Sequence, residues 1–113
     1  MLIQEGVSVV IPTLGEESLY EVIKSLNKSN LKISEILICI PLSYADKLKI
    51  NESENIRIIK CNFKGQVQQR ILGFKNTRFQ YVLQLDSDTI LDPDCILFLM
   101  NSLNNIGDNC SVS

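Results

Sequence analysis

At 113 residues, with 45% hydrophobic and 21% charged residues, the chain has the size and composition of one globular domain. Its net charge of −2 provides no general attraction for a polyanion, so we expect no nucleic-acid partner. No apolar run approaches the roughly 18 residues of a membrane-spanning helix, and we expect no membrane segment in this chain. The absence of histidine excludes the commonest zinc ligand and the usual general base.

The cysteines and the N-terminal residues favour a reducing compartment. Cys39, Cys61, Cys95 and Cys110 form no C-x-x-C pair and have no zinc spacing. Cys39 and Cys61 fall in or at the end of apolar runs, where a reduced cysteine serves as a small hydrophobic side chain. The first residues lack the basic segment and long apolar stretch of a signal peptide. We predict a cytoplasmic protein, with any location at the inner face of the membrane depending on segments outside this sequence.

Four short runs rich in Val, Ile and Leu predict β-strands. They are Val7–Ile11, Glu35–Ile40, Ile56–Cys61 and Tyr81–Leu85. None alternates cleanly between apolar and polar residues, which is typical of strands buried on both faces of a parallel sheet. Because helical patterns separate the runs, we predict an α/β fold with a doubly wound, mostly parallel sheet of about four strands and flanking helices.

The helices between these strands are predicted from apolar stripes. The first helix, Glu16–Ser29, and a later one, Gln66–Thr77, each have a stripe that we expect to pack on the sheet. A shorter helix is predicted between them at Tyr44–Ile50. The stripes consist of Leu19, Val22, Ile23 and Leu26 in the first helix and of Val67, Ile71 and Phe74 in the later one.

The last helix has the clearest start signal. Asp92 is predicted as its N-cap and Pro93 as its first residue. Its apolar face comprises Ile96, Met100 and Leu103. The final segment, Asn101–Ser113, is rich in Asn and Ser, and we expect it to be either poorly ordered or cut short.

The loops that follow the strands are the places to look for chemistry, because open α/β sheets bind ligands at the carboxyl ends of their strands. These loops are Pro12–Glu16, Pro41–Tyr44, Asn62–Gly65 and Asp86–Thr89. In the last loop, a buried strand leads directly into Asp86-Ser87-Asp88. Two carboxylates one residue apart can hold Mg²⁺ or Mn²⁺ and leave positions open for phosphate oxygens, although they could also only cap a turn.

The charges are segregated along the chain. Six cations and no acid occur from Arg57 to Arg78, and four acids follow between Asp86 and Asp94. One interpretation is a solvated basic face beside an acidic turn. The other is a cationic wall beside a metal-binding loop, an arrangement that suits a ligand carrying phosphates.

Two other known motifs begin with a similar pair of aspartates and are alternative interpretations of the acidic loop. A calcium EF-hand loop beginning at Asp86 is excluded, because Leu91 and Leu97 stand where glycine and glutamate are required. The haloacid-dehalogenase phosphatase motif D-x-D-x-[T/V] fits except at Ile90, and there Asp86 would be the nucleophile and Asp88 the acid/base. That motif normally ends the first strand of its domain, whereas here it ends the fourth predicted strand.

Over essentially its whole length the chain resembles the inverting family-two glycosyltransferases, whose fold is called GT-A. The residues that carry the resemblance are Val7–Thr13, Ser34–Ile40, Gly65 with Gln69–Gly73, and Tyr81–Thr89 followed by Leu91–Asp94. The resemblance implies a Rossmann-like half of that fold, which binds a nucleoside-diphosphate sugar through Mg²⁺ or Mn²⁺. The family's base-reading aspartate after the second strand is replaced by Pro41-Leu-Ser43, so the resemblance does not identify the nucleotide.

The resemblance also implies roles for individual residues. Asp88 would be the metal ligand, and Asp86 would contact the ribose or the metal shell. The expected substrate-binding residues are Pro12, Thr13, Glu16, Ser43, Arg70, Asp86 and Ser87. Thr13-x-x-Glu16 also fits a helix capping box, and Arg70 also fits a surface arginine without a ligand.

In this family the general base and the acceptor site lie downstream of the acidic loop. We therefore expect residues 1–113 to be the nucleotide-sugar-binding N-terminal part of a hexosyltransferase-type enzyme, without a catalytic residue and inactive alone. The remaining half would bind a glycan or lipid-linked acceptor in polysaccharide biosynthesis. The alternative is a non-catalytic nucleotide-binding or interaction module of the same fold. An uncovered sheet edge would favour self-association.

Overall fold

A computed structural model of the chain describes residues 4–106, and the side chains of residues 6–102 within them. The strands are β1 (Gln4–Pro12), β2 (Glu35–Pro41), β3 (Ile56–Cys61) and β4 (Phe79–Gln84), and the helices are α1 (Ser18–Asn27), α2 (Gln66–Lys75) and α3 (Cys95–Ile106), with a 3₁₀ helix at Leu42–Lys47. None of these helices is long and apolar enough to cross a bilayer.

The four strands form one parallel sheet in the order β3-β2-β1-β4. In the register of the central strands, Val9 pairs with Ile36 on one side and with Leu83 on the other. The chain moves outward from β1 to β3 and then crosses back to place β4 on the far side of β1. This reversal of direction confirms the predicted doubly wound α/β sheet and places its switch point between β1 and β4.

The larger core lies between the sheet and the layer formed by α1 and α3. The predicted apolar stripe of α1 is buried there, together with Ile96 of α3. Met100 packs against the same core, as predicted, whereas the side chain of Leu103 lies outside the described residues. β2 is buried along its full length, but β3 and β4 are mostly half-buried because they are the edges of this sheet.

The opposite face of the sheet is covered by α2, which packs on a smaller core of Val10, Leu37, Cys39 and Cys61. Gly73 permits the close approach, since a Cβ atom there would lie 2.6 Å from Val10 Cγ1 and 2.7 Å from Cys39 Sγ. α2 therefore turns Gly73 toward the sheet and its apolar stripe toward solvent. The prediction that Val67, Ile71 and Phe74 face the core is wrong, because all three are exposed.

Several predicted boundaries also differ from the structure. α1 begins at Ser18 rather than Glu16, and the short helix is a 3₁₀ helix that ends at Lys47. α3 continues through Ile106, so the expectation of poor order is wrong for residues 101–106, while residues 107–113, including Cys110, lie outside the described residues. The predicted start of α3 is wrong as well, because the helix begins at Cys95, so that Asp92 is not its N-cap and Pro93 is not its first residue. Asp92 Oδ1 instead accepts the N–H of Asp94 at 3.0 Å in the turn just before the helix.

A buried carboxylate ties the amino ends of the strands together. Glu35 accepts hydrogen bonds from Ser8 Oγ at 2.7 Å and from the backbone N–H of Arg78 at 2.7 Å. Arg57 Nη1 and Arg78 Nε lie 3.1 and 3.3 Å from its Oε1, and Arg57 also donates to the carbonyl of Asn76. Burial by itself would raise the pKa of Glu35, but the hydrogen bonds from Ser8 and the two arginines outweigh it and lower the pKa.

Replacing Glu35 by Gln is expected to destabilise the fold by about 3 kcal/mol near neutral pH, because Arg57 would lose its buried counter-charge. Since the pKa of Glu35 lies below its ordinary 4.5 in the folded state, its contribution is present above that pH and is lost as the pH falls below it. Urea denaturation should therefore show a difference between wild type and Glu35→Gln that shrinks in acid. Equal unfolding free energies at pH 7 would contradict this role.

Candidate functional site

The carboxyl ends of the strands bring together most of the residues that the sequence singled out. A cleft of about 150 Å³ lies between the loop after β1 and the start of α2. Its lining residues are Pro12, Thr13, Leu14, Glu16, Lys64, Gly65, Gln66 and Gln69. A second cleft of about 340 Å³ lies beside it at the ends of β2 and β3, contains Ser43, Asn62 and Phe63, and shares Lys64 with the first.

The loop after β1 is closed by its own side chains. Thr13 Oγ1 donates to Glu16 Oε2 at 2.6 Å and accepts the N–H of Gly15 at 3.0 Å, while Glu16 Oε1 accepts the N–H of Leu14. This is not the helix capping box considered from the sequence, because α1 begins only at Ser18. Burial would raise the pKa of Glu16, but hydrogen bonds to its carboxylate lower it, so the group is an anion at neutral pH.

Gln69 of α2 forms the floor between the loops, and sequence reasoning missed it as a site residue. Its side chain is buried, and its Nε2 donates to the carbonyl oxygens of Thr13 at 3.0 Å and Cys39 at 2.7 Å. Its Oε1 accepts the N–H of Gly65 at 3.3 Å. One amide thus joins the ends of β1 and β2 to the loop that starts α2. The sequence did contain a signal for this role. Gln69 stands four residues after Gly65 and four before Gly73, on the face of α2 that Gly73 turns toward the sheet.

Arg70, the next residue of α2, points to the acidic loop after β4. Its Nη2 lies 3.6 Å from Asp86 Oδ1 and 3.5 Å from Gln66 Oε1. The side-chain amide of Gln84 is best oriented with its oxygen toward the Arg70 guanidinium. In that orientation the Gln84 oxygen accepts hydrogen bonds from Arg70 Nε at 3.0 Å and from Arg70 Nη2 at 3.2 Å. Because Gln66 also lines the first cleft, the contacts lead continuously from that cleft through Arg70 to Asp86.

The acidic loop itself is anchored at its backbone and open at its carboxylates. Ser18 Oγ at the start of α1 donates to the carbonyl of Ser87 at 2.8 Å, and the N–H of Thr89 bonds to the carbonyl of Asp86. Asp86 is about half exposed and Asp88 is exposed, and Asp88 has no ion-pair partner among residues 4–106. Both side chains are therefore accessible to a ligand.

The donor set fits a hard divalent cation that a ligand helps to hold. Within the part of the chain that the structure describes, no three Asp, Glu or Cys side chains converge on one point. Two carboxylates one residue apart would occupy two positions of an octahedral ion and leave the others to water and phosphate oxygens, which is the usual arrangement for Mg²⁺. The pairing of Asp86 with Arg70 leaves Asp88 as the freer of the two carboxylates.

The cationic wall predicted from Arg57 to Arg78 is only partly correct. Arg57 and Arg78 bind Glu35 at the amino ends of the strands, at the opposite end of the sheet from the clefts. Lys64 does line both clefts, and its Nζ donates to the Tyr44 hydroxyl at 3.0 Å. Arg70 and Lys64 supply positive charge near the acidic loop and the clefts, and so does Lys47, whose Nζ lies 4.9 Å from the centre of the Tyr44 ring.

Cys39 and Cys61 are free and buried, as predicted, and both belong to the core beneath α2. Burial, with a smaller contribution from Cys61, raises the pKa of Cys39 to about 12. Burial also raises the pKa of Cys61. A thiol that stays protonated at neutral pH is a poor nucleophile, so these two cysteines have a packing role.

Comparisons with known proteins bear on the family and the fold of the chain. Residues 8–113 match the sequence profile described as glycosyl transferase family 2. The chain is similar in structure to S. aureus TarS residues 1–349, to a longer form of S. aureus TarS, and to TarS 1–349 in complex with UDP. Each superposition has a TM-score of 0.66 at 19% sequence identity and covers 88% of this chain. None of the curated proteins matches the sequence.

The structural matches confirm the predicted α/β fold as the Rossmann-like part of a GT-A glycosyltransferase fold. The chain spans 32% of the length of TarS 1–349 and 20% of the longer form. At this level of identity the likeness concerns the fold, and the ligand of each cleft has to be argued from the residues of this chain.

Replacing Gln69 by Leu is expected to destabilise the fold by about 2 to 3 kcal/mol, because the carbonyls of Thr13 and Cys39 would lose a buried donor. Gln68→Leu is the matched control, since Gln68 is exposed on the same helix. Urea denaturation of both variants gives the comparison. An equal loss of stability in the two would show that the buried amide has no special role.

Proposed function

Because the chain belongs to glycosyl transferase family 2, we propose that it binds a nucleoside-diphosphate sugar as the donor side of a glycosyltransferase. The observation that carries the proposal is the continuous contact from the cleft at Thr13 and Glu16 to Asp86 through Arg70. An extended ligand lying along the carboxyl ends of the strands would meet the hydrogen-bonded Thr13–Glu16 loop and Lys64 first and the acidic loop last. That order suits a nucleoside followed by a diphosphate.

The acidic loop would hold the diphosphate end of the donor. Asp88, with Asp86 beside it, would ligate a divalent cation, and the bound Mg²⁺ or Mn²⁺ would stabilise the charge on the leaving diphosphate as a Lewis acid. Arg70 would keep the Asp86 carboxylate oriented and add a second positive charge near the phosphates. Ser87, held by Ser18 through its backbone carbonyl, would border the same ligand.

The nucleoside would occupy the clefts next to the β1 and β2 ends. Pro12 and Thr13 supply a rigid wall, because the Thr13 hydroxyl and backbone are already held by Glu16 and Gln69. Ser43 would contact the base or ribose from the second cleft. A TarS structure at 19% identity was solved in complex with UDP, and UDP is therefore the first nucleotide to test here.

The transfer step itself is proposed for a larger protein of which these residues form the donor side. An inverting transfer needs a base that deprotonates the acceptor hydroxyl. Asp92 and Asp94 are poor candidates, since Asp92 accepts the backbone N–H of Asp94 and Asp94 accepts a hydrogen bond from Asn30. A carboxylate elsewhere in the protein would serve as the base beside a glycan or lipid-linked acceptor.

A second candidate function is nucleotide binding without catalysis. It is favoured by one observation: the only carboxylate lining the two clefts is Glu16, and its oxygens are engaged by Thr13 and Leu14 within the described part of the chain. The nucleobase of a bound nucleotide would then be recognised without a free carboxylate. Family membership leaves the phosphatase interpretation without support, and the pairing of Asp86 with Arg70 also argues against a free aspartate nucleophile.

We expect UDP with Mn²⁺ to raise the melting temperature of this chain, and UDP alone to raise it much less. At a ligand concentration of about one hundred times the Kd, stabilisation should reach about 2.7 kcal/mol, or roughly 10 °C for a domain of this size. Asp88→Asn should abolish the metal-dependent part of the shift, since it removes the freer carboxylate. Thermal melting with UDP, GDP and CDP, each with and without Mn²⁺, measures both effects.

Asp92→Asn is the matched control, because it removes the same charge from a neighbouring exposed aspartate and keeps an oxygen that can accept the N–H of Asp94. Its shift with UDP and Mn²⁺ should equal that of the wild type. A metal-independent shift that survives Asp88→Asn would support the second candidate function. No shift with any nucleotide, in a sample that melts cooperatively, would reject the proposed donor site in this chain.

A further inference from the structure

The outward face of α2 is an exposed apolar patch. The α2 patch consists of Val67, Ile71 and Phe74, which follow one another at helical spacing and are 64%, 46% and 42% exposed. These side chains are not needed for the core, because α2 contacts the sheet through Gln69, Leu72 and Gly73. Contiguous exposed apolar side chains on a helix mark an interaction surface more often than isolated ones do.

The surroundings of the α2 patch restrict its partner. Lys64 and Lys75 flank the patch in sequence with exposed side chains, and α2 itself contains no acid. A symmetric contact between two α2 patches would place these like charges against each other, which is unfavourable at an interface. The patch therefore fits an apolar surface with acidic neighbours.

The chain itself carries such a surface on α3. The α3 patch consists of Leu97 and Phe98, which are 36% and 71% exposed. No lysine or arginine occurs after Arg78, whereas Asp94 lies one turn before Phe98 and Asp92 lies just ahead of it, both exposed. The two patches are thus similar in apolar character and opposite in the charge of their neighbours.

The two patches cannot meet within one molecule, because α3 packs on the core shared with α1 and α2 packs on the opposite face of the sheet. We propose that the α2 patch of one copy binds the α3 patch of a second copy. Such a contact is heterologous: each copy keeps one patch free, so assembly continues by head-to-tail addition. The proposal is independent of the nucleotide site and concerns a surface other than the sheet edges.

Sedimentation velocity at increasing protein concentration tests the proposal. The wild-type average mass should rise above that of the monomer. Ile71→Glu and Phe98→Glu should each weaken association by about tenfold or more, since each places a charge in the centre of one patch. Both positions are exposed, so the variants should keep the wild-type circular dichroism and melting behaviour.

The decisive sample is an equimolar mixture of the two variants. Ile71→Glu keeps an intact α3 patch and Phe98→Glu an intact α2 patch, so the mixture should form a one-to-one complex that does not grow further. Asn51→Glu, at an exposed loop position outside both patches, is the charge-matched control and should associate like the wild type. A monomeric wild type, a mixture without complex, or a Phe98→Glu variant that still dimerises would each overturn the proposal.

Discussion

The close approach of α2 to the sheet at Gly73 is the constraint on which the rest of the structure depends. Because no side chain separates the helix from Val10 and Cys39 at that point, the helix has one permitted rotation about its axis. That rotation buries Gln69 between the ends of β1 and β2 and carries Arg70 to Asp86. The same rotation turns the α2 patch away from the core. A single packing contact therefore sets the floor of the cleft, the charge beside the acidic loop and the exposed apolar surface.

The amino and carboxyl ends of the strands differ in how their charged side chains are used. At the amino ends, the buried Glu35 binds Arg57 and Arg78, and this pairing uses two of the cations that could otherwise have served a ligand. At the carboxyl ends, Asp86 and Asp88 stay accessible, and among the described residues Arg70, Lys64 and Lys47 provide positive charge near the acidic loop and the clefts. Stability is thus supplied at one end through buried pairing, which leaves the other end available for binding.

Membership in glycosyl transferase family 2 and the fold shared with TarS place the chain among glycosyltransferases. The more specific proposals depend on the residues of this chain. The acidic loop offers two accessible carboxylates, to which the proposal assigns a cation and a diphosphate. Among the described residues, the only carboxylate that lines the clefts is Glu16, and it is held by Thr13 and Leu14. Metal dependence and nucleotide preference are therefore proposed for different residues of this chain.

The sequence by itself determined the strands, the buried face of α1 and the position of the acidic loop at the end of β4. These features depend on local patterns: apolar runs, a helical period of buried residues, and two aspartates after a strand. Only the tertiary structure decided which face of α2 is buried, because the apolar stripe predicts Val67, Ile71 and Phe74 and the packing at Gly73 overrides it. The tertiary structure also decided that Arg57 and Arg78 form ion pairs with Glu35. It likewise decided that the Gln69 amide hydrogen-bonds to Thr13, Cys39 and Gly65. Such assignments depend on contacts between residues far apart in the chain, and periodicity along one segment carries no information about them.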